Sequence, residues 1–322
     1  MANLNLVEAI NLGLMQEMEK DPDVIILGED VGVDGGVFRV TEGLLKKFGK
    51  YRVFDTPLAE SGIVGTAIGM AMYGLRPVAE IQFEGFIMPA FDQIVNHAAR
   101  MRNRSRGRFH CPLVIRSPWG GMVKALEHHS DSPETYFVHT PGLKVVIPSR
   151  PYDAKGLIVS AIRDNDPVIF FEPKRVYRAI KEEVPEKEYV IPIGKASLRQ
   201  EGENVTVISW GAMVRECEKA LEKIKISADL IDLRTVSPID TETIIKSVKK
   251  TGRVVVVQEA QRTLGLASEI IALINDKALL SLEAPVERIT GFDTIVPLAK
   301  LEEYYSPSVS RIIKGIEKVV KY

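Results

Sequence analysis

Near its start the chain places Leu6, Ile10, Leu14 and Met18 four positions apart, preceded by Asn5 and, three residues on, Glu8. That spacing predicts an amphipathic helix begun by a capping box, in which each of the two side chains satisfies a backbone N–H of the other. Asp21-Pro22 ends it, and the wholly apolar VIIL at 24–27 predicts a short buried strand. A glycine-rich loop runs from Gly28 to Gly36, followed by a brief helix capped by Thr41 and a strand, RVF, at 52–54. The next helix opens at Glu60 and carries Gly62, Gly65, Gly69 and Ala71 on its faces. Further strands are predicted at 77–83, 112–116, 144–148 and 167–171. Helices are expected from about Pro89 to Met101 and over 151–165, the second with Pro151 in its first turn. Strands that alternate with helices and are mostly continuous in their apolar character predict a parallel sheet covered on both faces.

From Glu172 to Pro192 the pattern breaks. EPKRVYRAIKEEVPEKEYVIP is charged, punctuated by proline and poor in periodic apolar residues, and it reads as an interdomain linker. Beyond it the alternation resumes on a smaller scale. Strands VTVIS, ADLIDL, RVVVVQE and PVERI are separated by helices near 213–225, 241–250 and 266–276, with a terminal helix from about Ser308. The expectation is an α/β protein of two domains, residues 1–185 and 186–322.

Composition narrows the class more than the activity. A chain of 322 residues with 45% hydrophobic and 26% charged residues is long enough for two sizeable cores. A net charge of −1 gives no general attraction to nucleic acid or to an anionic membrane. The run Arg100, Arg102, Arg104, Arg106, Arg108 lacks interleaved aromatics apart from Phe109, and reads as a solvated or subunit-facing loop at the end of a helix. Two cysteines, Cys111 and Cys217, without metal-ligand spacing argue for a reducing compartment. The N-terminus begins directly with a helix signal, and no apolar run approaches membrane-spanning length, so a cytoplasmic location is expected.

The stretch from Asp55 to Phe86, DTPLAESGIVGTAIGMAMYGLRPVAEIQFEGF, carries the densest chemistry. Small residues on a helix let another backbone approach closely, and an ionisable group at the mouth of such a helix is costly to bury. On the residues alone Glu60 has two readings: part of a site, or a first-turn carboxylate favoured by the helix dipole.

This stretch resembles the β subunit of the thiamine-diphosphate-dependent 2-oxoacid dehydrogenases, the E1 component. The resemblance runs over nearly the whole chain, through GEDVGVDGGVFR, DTPLAESGIVG, AEIQFEGFIMPAFDQI, RSPWGG, HSDSPE, VVIPSRPYDAKGL, FFEPKRVYR and EAQRTLGLASEI, in family order. It implies an N-terminal pyrimidine-binding domain and a smaller transketolase C-terminal-like domain. It maps Glu60 onto the cofactor-activating glutamate. A carboxyl group there hydrogen-bonds N1′ of the aminopyrimidine, so that the cofactor's own imino group can take the thiazolium proton; burial should raise the pKa of such a carboxyl. Phe86 lines up with the aromatic stacked on the pyrimidine, Gln82 with a polar neighbour of that ring, and Leu58 with a residue packing its edge. The pattern H-S-x-S-P-E selects His129 over His128 as the histidine tied to acyl transfer onto a lipoyl sulfur; if the segment is extended, adjacent histidines cannot both face one site. Asp131 departs from relatives that carry an uncharged residue there.

An absence is equally telling. Thiamine enzymes of a single chain hold the diphosphate through Mg²⁺ on a GDG motif and a later asparagine pair, and neither fits here. Nor does Gly43 to Lys50 make a P-loop. The chain offers the pyrimidine half-site. The resemblance supplies the rest: thiamine diphosphate shared with an E1 α subunit, Mg²⁺ held by that subunit, an α₂β₂ heterotetramer, and a lipoyl-bearing E2 core as acyl acceptor. Some relatives also hold K⁺ beside the strand near Asp164 and Asp166, although turn chemistry alone accounts for Asp-Asn-Asp-Pro. AEIQF, RSPWG and FFEPKRVYR look most like branched-chain (2-oxoisovalerate) members, with pyruvate the next choice. A transketolase-like C-terminal half acting on sugar phosphates is the rival enzyme class.

Overall fold

The predicted capping box forms in full at the first helix. In a computed structural model describing residues 1–322, the Asn5 side chain accepts from the Glu8 N–H at 3.0 Å and the Glu8 carboxylate accepts from the Asn5 N–H at 2.8 Å. Helix α1 (Leu6–Lys20) then buries Leu6, Ile10, Leu14 and Met18, as its spacing requires. It lies against α6 (Pro151–Arg163) so closely that a Cβ at Gly13 would sit 2.6 Å from the Ile158 side chain.

The chain divides into two compact units. The first comprises Met1–Trp119 and Tyr136–Ile193. After β1 (Ala2–Leu4) and α1 come β2 (Val24–Gly28), α2 (Leu44–Phe48), β3 (Val53–Asp55), α3 (Glu60–Tyr73), β4 (Arg76–Glu80), α4 (Met101–Arg104) and β5 (Val114–Trp119). After α5 (Glu134–Val138), the unit continues with β6 (Lys144–Val146), α6, β7 (Val168–Pro173) and β8 (Glu182–Val184). Its main sheet is parallel throughout, in the order β6-β7-β5-β4-β2-β3. The apolar runs predicted as strands are these buried strands, as a sheet covered on both faces demands. One consequence of the order governs the site. From β2 the chain crosses to β3 on one side and then returns to β4 on the other, so the direction of winding reverses at the end of β2. A crevice opens outside the carboxyl ends of strands at such a point.

The second unit comprises Gly120–Thr135 and Gly194–Tyr322. It contains β9 (Ser197–Gln200), β10 (Val205–Ser209), α7 (Ala212–Ile224), β11 (Ala228–Asp232), β12 (Thr235–Ser237), α8 (Thr241–Thr251) and β13 (Val254–Val257). It ends with α9 (Leu266–Ala278), β14 (Glu287–Ile289), α10 (Glu302–Tyr305) and α11 (Val309–Val320). Its sheet runs β14-β13-β10-β11-β9, parallel except for the antiparallel edge strand β9. The helices stand where the periodicity places them, and α11 is capped by Ser308.

Three local expectations differ. Residues 172–192 are not an interdomain linker: β7 runs through Glu172 to Pro173, and β8 pairs with β1, Ala2 opposite Val184. The segment stays with the first unit to Ile193 because its polar groups find partners there. The Lys155 ammonium donates to the carbonyls of Pro185 and Lys187 at 2.5 and 2.9 Å, and the Ser160 hydroxyl donates to that of Ile191 at 2.6 Å. Thr41 does not cap the short helix; its hydroxyl turns inward to the Val31 carbonyl at 2.7 Å, and Gly43, at φ 81°, stands at the helix start. The helix expected from Pro89 to Met101 is a 3₁₀ turn (Glu84–Ala90), a π-helical turn (Gln93–Ala98) and the short α4, because Pro89 lacks the N–H that a continuous ladder needs. No helix is long and apolar enough to cross a membrane.

Candidate active site

Three neighbouring strand ends build the site in the first unit. Strand β2 delivers Glu29 and Asp30, β3 leads through Leu58 to Glu60, and β4 leads to Gln82 and Phe86. Glu60 is the first residue of α3 and is buried, at 7% exposure, although it opens a helix. Glu29 is buried beside it. Desolvation first, then the Glu60 charge, then that of Asp30, push the Glu29 carboxyl above its usual range. The Gln82 amide donates to Asp30 at 2.8 Å, and Asp55 accepts from Gly32 N–H at 2.6 Å and Val33 N–H at 3.2 Å, so the glycine-rich loop is tied to the end of β3. Leu58 is exposed at 77%, and beyond its chain neighbours and its own helix backbone nothing comes within 4 Å of a Cβ placed on Gly69. The site thus has a buried carboxylate floor and a face that this unit leaves open.

Phe86 is half-buried and meets Phe83 edge-to-face, ring centroids 6.3 Å apart. What fixes their turn is a fully buried ion pair: Lys174 Nζ lies 2.5 Å from both Glu84 oxygens, and also over the Phe83 ring at 5.7 Å. A second buried network lies at the same end of the sheet. Arg116 on β5 donates to Glu80 on β4 at 2.7 Å and to both oxygens of Glu172 on β7 at 2.7 and 3.0 Å; the Tyr177 hydroxyl joins Glu172 at 2.8 Å. Burial alone would lower the Arg116 pKa, but Glu172 and Glu80 outweigh it and the guanidinium is held firmly charged. Desolvation raises the Glu80 carboxyl, an effect only partly offset by Arg116.

His129 belongs to the second unit. The segment around it is a 3₁₀ turn (Glu127–His129) rather than extended chain, and the rings of His128 and His129 lie 4.0 Å apart, tilted by 48°. Side-by-side rings replace the opposite-facing pair that an extended segment would give. His128 is exposed, with Glu127 at 3.8 Å, whereas His129 is half-buried.

Residues 2–180 match a family described as "Transketolase, pyrimidine binding domain", and residues 194–312 match "Transketolase, C-terminal domain". The pyruvate dehydrogenase E1 component subunit beta of Acholeplasma laidlawii is 57% identical, over 100% of this chain and 99% of its own length. That of Bacillus subtilis is 53% identical over 100% of both. The chain belongs to the E1 β-subunit family of 2-oxoacid dehydrogenases. A solved chain titled "Split gene transketolase, inactive beta4 tetramer" superposes with a TM-score of 0.81 over 99% of both chains at 20% identity, which is a likeness of fold.

The branched-chain preference drawn from the sequence is not what these E1 β relatives are named for. AEIQF contributes Glu80, RSPWG contributes Arg116 and FFEPKRVYR contributes Glu172 and Tyr177, so the three motifs meet in one buried ion network. They hold three strands together. Sequence reasoning passed over this network, and over Glu29. Both were signalled by acids standing at or just beyond the ends of apolar strands.

In this E1 β subunit Asp164 and Asp166 lie around an ammonium. Lys144 Nζ is 2.6 Å from Asp164 and 3.7 Å from Asp166, Arg102 donates to Asp166 at 2.6 Å, and the Asp166 N–H closes an Asx turn on Asp164 at 2.9 Å. The basic loop is similarly tied locally, Arg104 donating to the Asn96 carbonyl at 2.7 Å. No group of three or more His, Cys, Asp or Glu side chains converges as a metal site would need.

Proposed function

We propose that this E1 β subunit serves the oxidative decarboxylation of pyruvate, holding the pyrimidine half of thiamine diphosphate. The observation that carries the reading is a buried glutamate, Glu60, at the reversal point of a parallel sheet, with one polar and one aromatic side chain from the neighbouring strand end. Relatives alike over their full length and named for pyruvate support that substrate over 2-oxoisovalerate. The residues fit the group. Glu60 would hydrogen-bond N1′ of the pyrimidine and hold a proton there, Phe86 would stack on the ring, Gln82 would contact its polar edge, and Leu58 would cover its rim. The chemistry that the bound cofactor supplies is an electron sink for the loss of CO₂. His129 would deliver a proton during acyl transfer to a lipoyl sulfur.

An E1 α subunit completes the site in this reading, supplying Mg²⁺ and the diphosphate grip in an α₂β₂ assembly, with a lipoyl-bearing E2 as acceptor. Exposed Leu58 and the uncrowded Gly69 support a second chain on that face. The test is release of ¹⁴CO₂ from carboxyl-labelled pyruvate and 2-oxoisovalerate by the chain mixed with its α partner. Pyruvate is expected to give the higher kcat/KM by roughly tenfold or more, the scale of discrimination a pocket achieves on one or two methyl groups. Preference for 2-oxoisovalerate, or turnover of sugar phosphates without lipoyl protein, would overturn the assignment.

A further inference from the structure

The loop that bears His129 is built around an anion of the protein's own. From Gly120 to Lys124 every second residue has a positive φ: Gly120 at 78°, Met122 at 67° and Lys124 at 60°. Backbone of alternating hand turns successive N–H groups toward one side and makes an anion-binding concavity. Methionine and lysine adopt such angles against their steric preference, so something must hold them. Two carboxylates from distant parts of the second unit do so. Glu259 accepts from the Gly121 N–H at 2.5 Å, and Glu302 accepts from Met122 N–H with one oxygen and from Lys124 N–H with the other, at 2.8 Å for the latter. Glu259 is 2% and Glu302 3% exposed.

The restraint reaches the histidine through few bonds. From Lys124 the chain passes through Ala125 and Leu126 into the 3₁₀ turn, where the His129 N–H donates to the Leu126 carbonyl at 2.9 Å and the Ser130 hydroxyl donates to the same carbonyl at 3.1 Å. The neck closes where the Gly120 N–H donates to the Asp131 carbonyl at 3.2 Å. Gly121 packs on the far side of Ser130: a Cβ there would lie 3.1 Å from the Ser130 carbonyl oxygen and 3.0 Å from a Glu302 oxygen. Gly121 therefore lies against both Glu302 and Ser130, the residue that follows the turn.

We propose that Glu302, assisted by Glu259, is a positioning residue for acyl transfer: it fixes the backbone from which His129 projects. The proposal rests on the reading of His129 given above. It predicts that removing the clamp loosens the loop and slows acyl transfer while leaving decarboxylation in place.

The test uses Glu302→Ala and the milder Glu302→Gln, each assembled with the α partner. Gln keeps one acceptor oxygen and loses the other, so its effects should lie between those of wild type and Ala. Exposed Lys124 is a trypsin site at the clamp, and fragment masses report its cleavage directly. Glu302→Ala should be cut after Lys124 about tenfold faster than wild type, as cleavage follows local opening. Acyl transfer to a lipoyl domain should fall about tenfold, while decarboxylation read with an artificial electron acceptor stays within about twofold. Unchanged cleavage in both variants overturns the clamp. Faster cleavage with unchanged acyl transfer overturns the positioning role, provided His129→Ala, run in parallel, does slow that step. If His129→Ala leaves acyl transfer unchanged, the reading of His129 is what fails, and the cleavage rates alone then decide the clamp.

Discussion

Glu60 and the His129 loop are placed by two different kinds of physics. Glu60 follows from sheet topology: strands β4, β2 and β3 lie side by side, and each must end somewhere near the crevice at the reversal point. Two buried networks across β4, β5 and β7, Glu84–Lys174 and Arg116 with Glu80 and Glu172, then hold the turns on the β4 side. The His129 loop has no such frame. It leaves its strand at Trp119, packs with the second unit, and depends on two carboxylates more than a hundred residues further along the chain. A site set by topology should tolerate distant changes and fail at its own chemical groups. One set by a clamp should be sensitive to residues that never touch substrate.

The sharpest way to test the first half is Glu60→Ala. The side chain is short of structural partners and stands at a helix start, so the fold should persist, with circular dichroism and assembly unchanged. Decarboxylation should fall by about 100-fold or more, the scale of a lost proton-transfer group. Near-normal turnover would remove Glu60 from the chemistry. The next effect is on stability. Lys174→Met deprives the fully buried Glu84 of its ammonium, which should cost about 3–5 kcal/mol in denaturant unfolding. Adding Glu84→Met should recover most of that loss, since the penalty is a buried carboxylate that has lost its counter-charge. A double variant as unstable as the single one would show that packing of the turn, and not its charge, holds Phe86.

The same contrast separates what could be read from the sequence. The α1 capping box, the strand runs, the helices of the second unit and the start of α3 at Glu60 all depend on residues within a few places of one another, and each stands as its pattern predicts. The errors arose where the partner was remote. The charged segment from Glu172 reads as a linker because its partners, Arg116, Lys155 and β1, lie far back in the chain. The motifs AEIQF, RSPWG and FFEPKRVYR meet as the corners of one ion network that none of them announces alone. Glu302 carried no signal at all: LEEYY gives no sign that the first Glu reaches the backbone of residues 122–124.

The smallest effect supplies the control that makes the clamp argument decisive. Asp240 begins α8, accepting from the Thr243 N–H at 3.2 Å, the Thr243 hydroxyl at 2.8 Å and the Ala196 N–H at 3.0 Å. Burial would raise its carboxyl, but these hydrogen bonds, with a smaller pull from Lys195, outweigh it and hold it below the usual carboxylate range. A depressed value in the fold means that the stabilisation is present above the ordinary value of about 4 and is lost as pH falls through the folded one. Asp240→Asn should therefore destabilise the protein by about 1 kcal/mol at pH 7, with the difference from wild type narrowing below about pH 4. It weakens the second unit without touching Gly121, Met122 or Lys124. Cleavage after Lys124 should stay at the wild-type rate in this variant while it rises in Glu302→Ala. If Asp240→Asn accelerated that cleavage equally, the loop would be reporting the general stability of the second unit, and the distinction between a topological site and a clamped one would collapse.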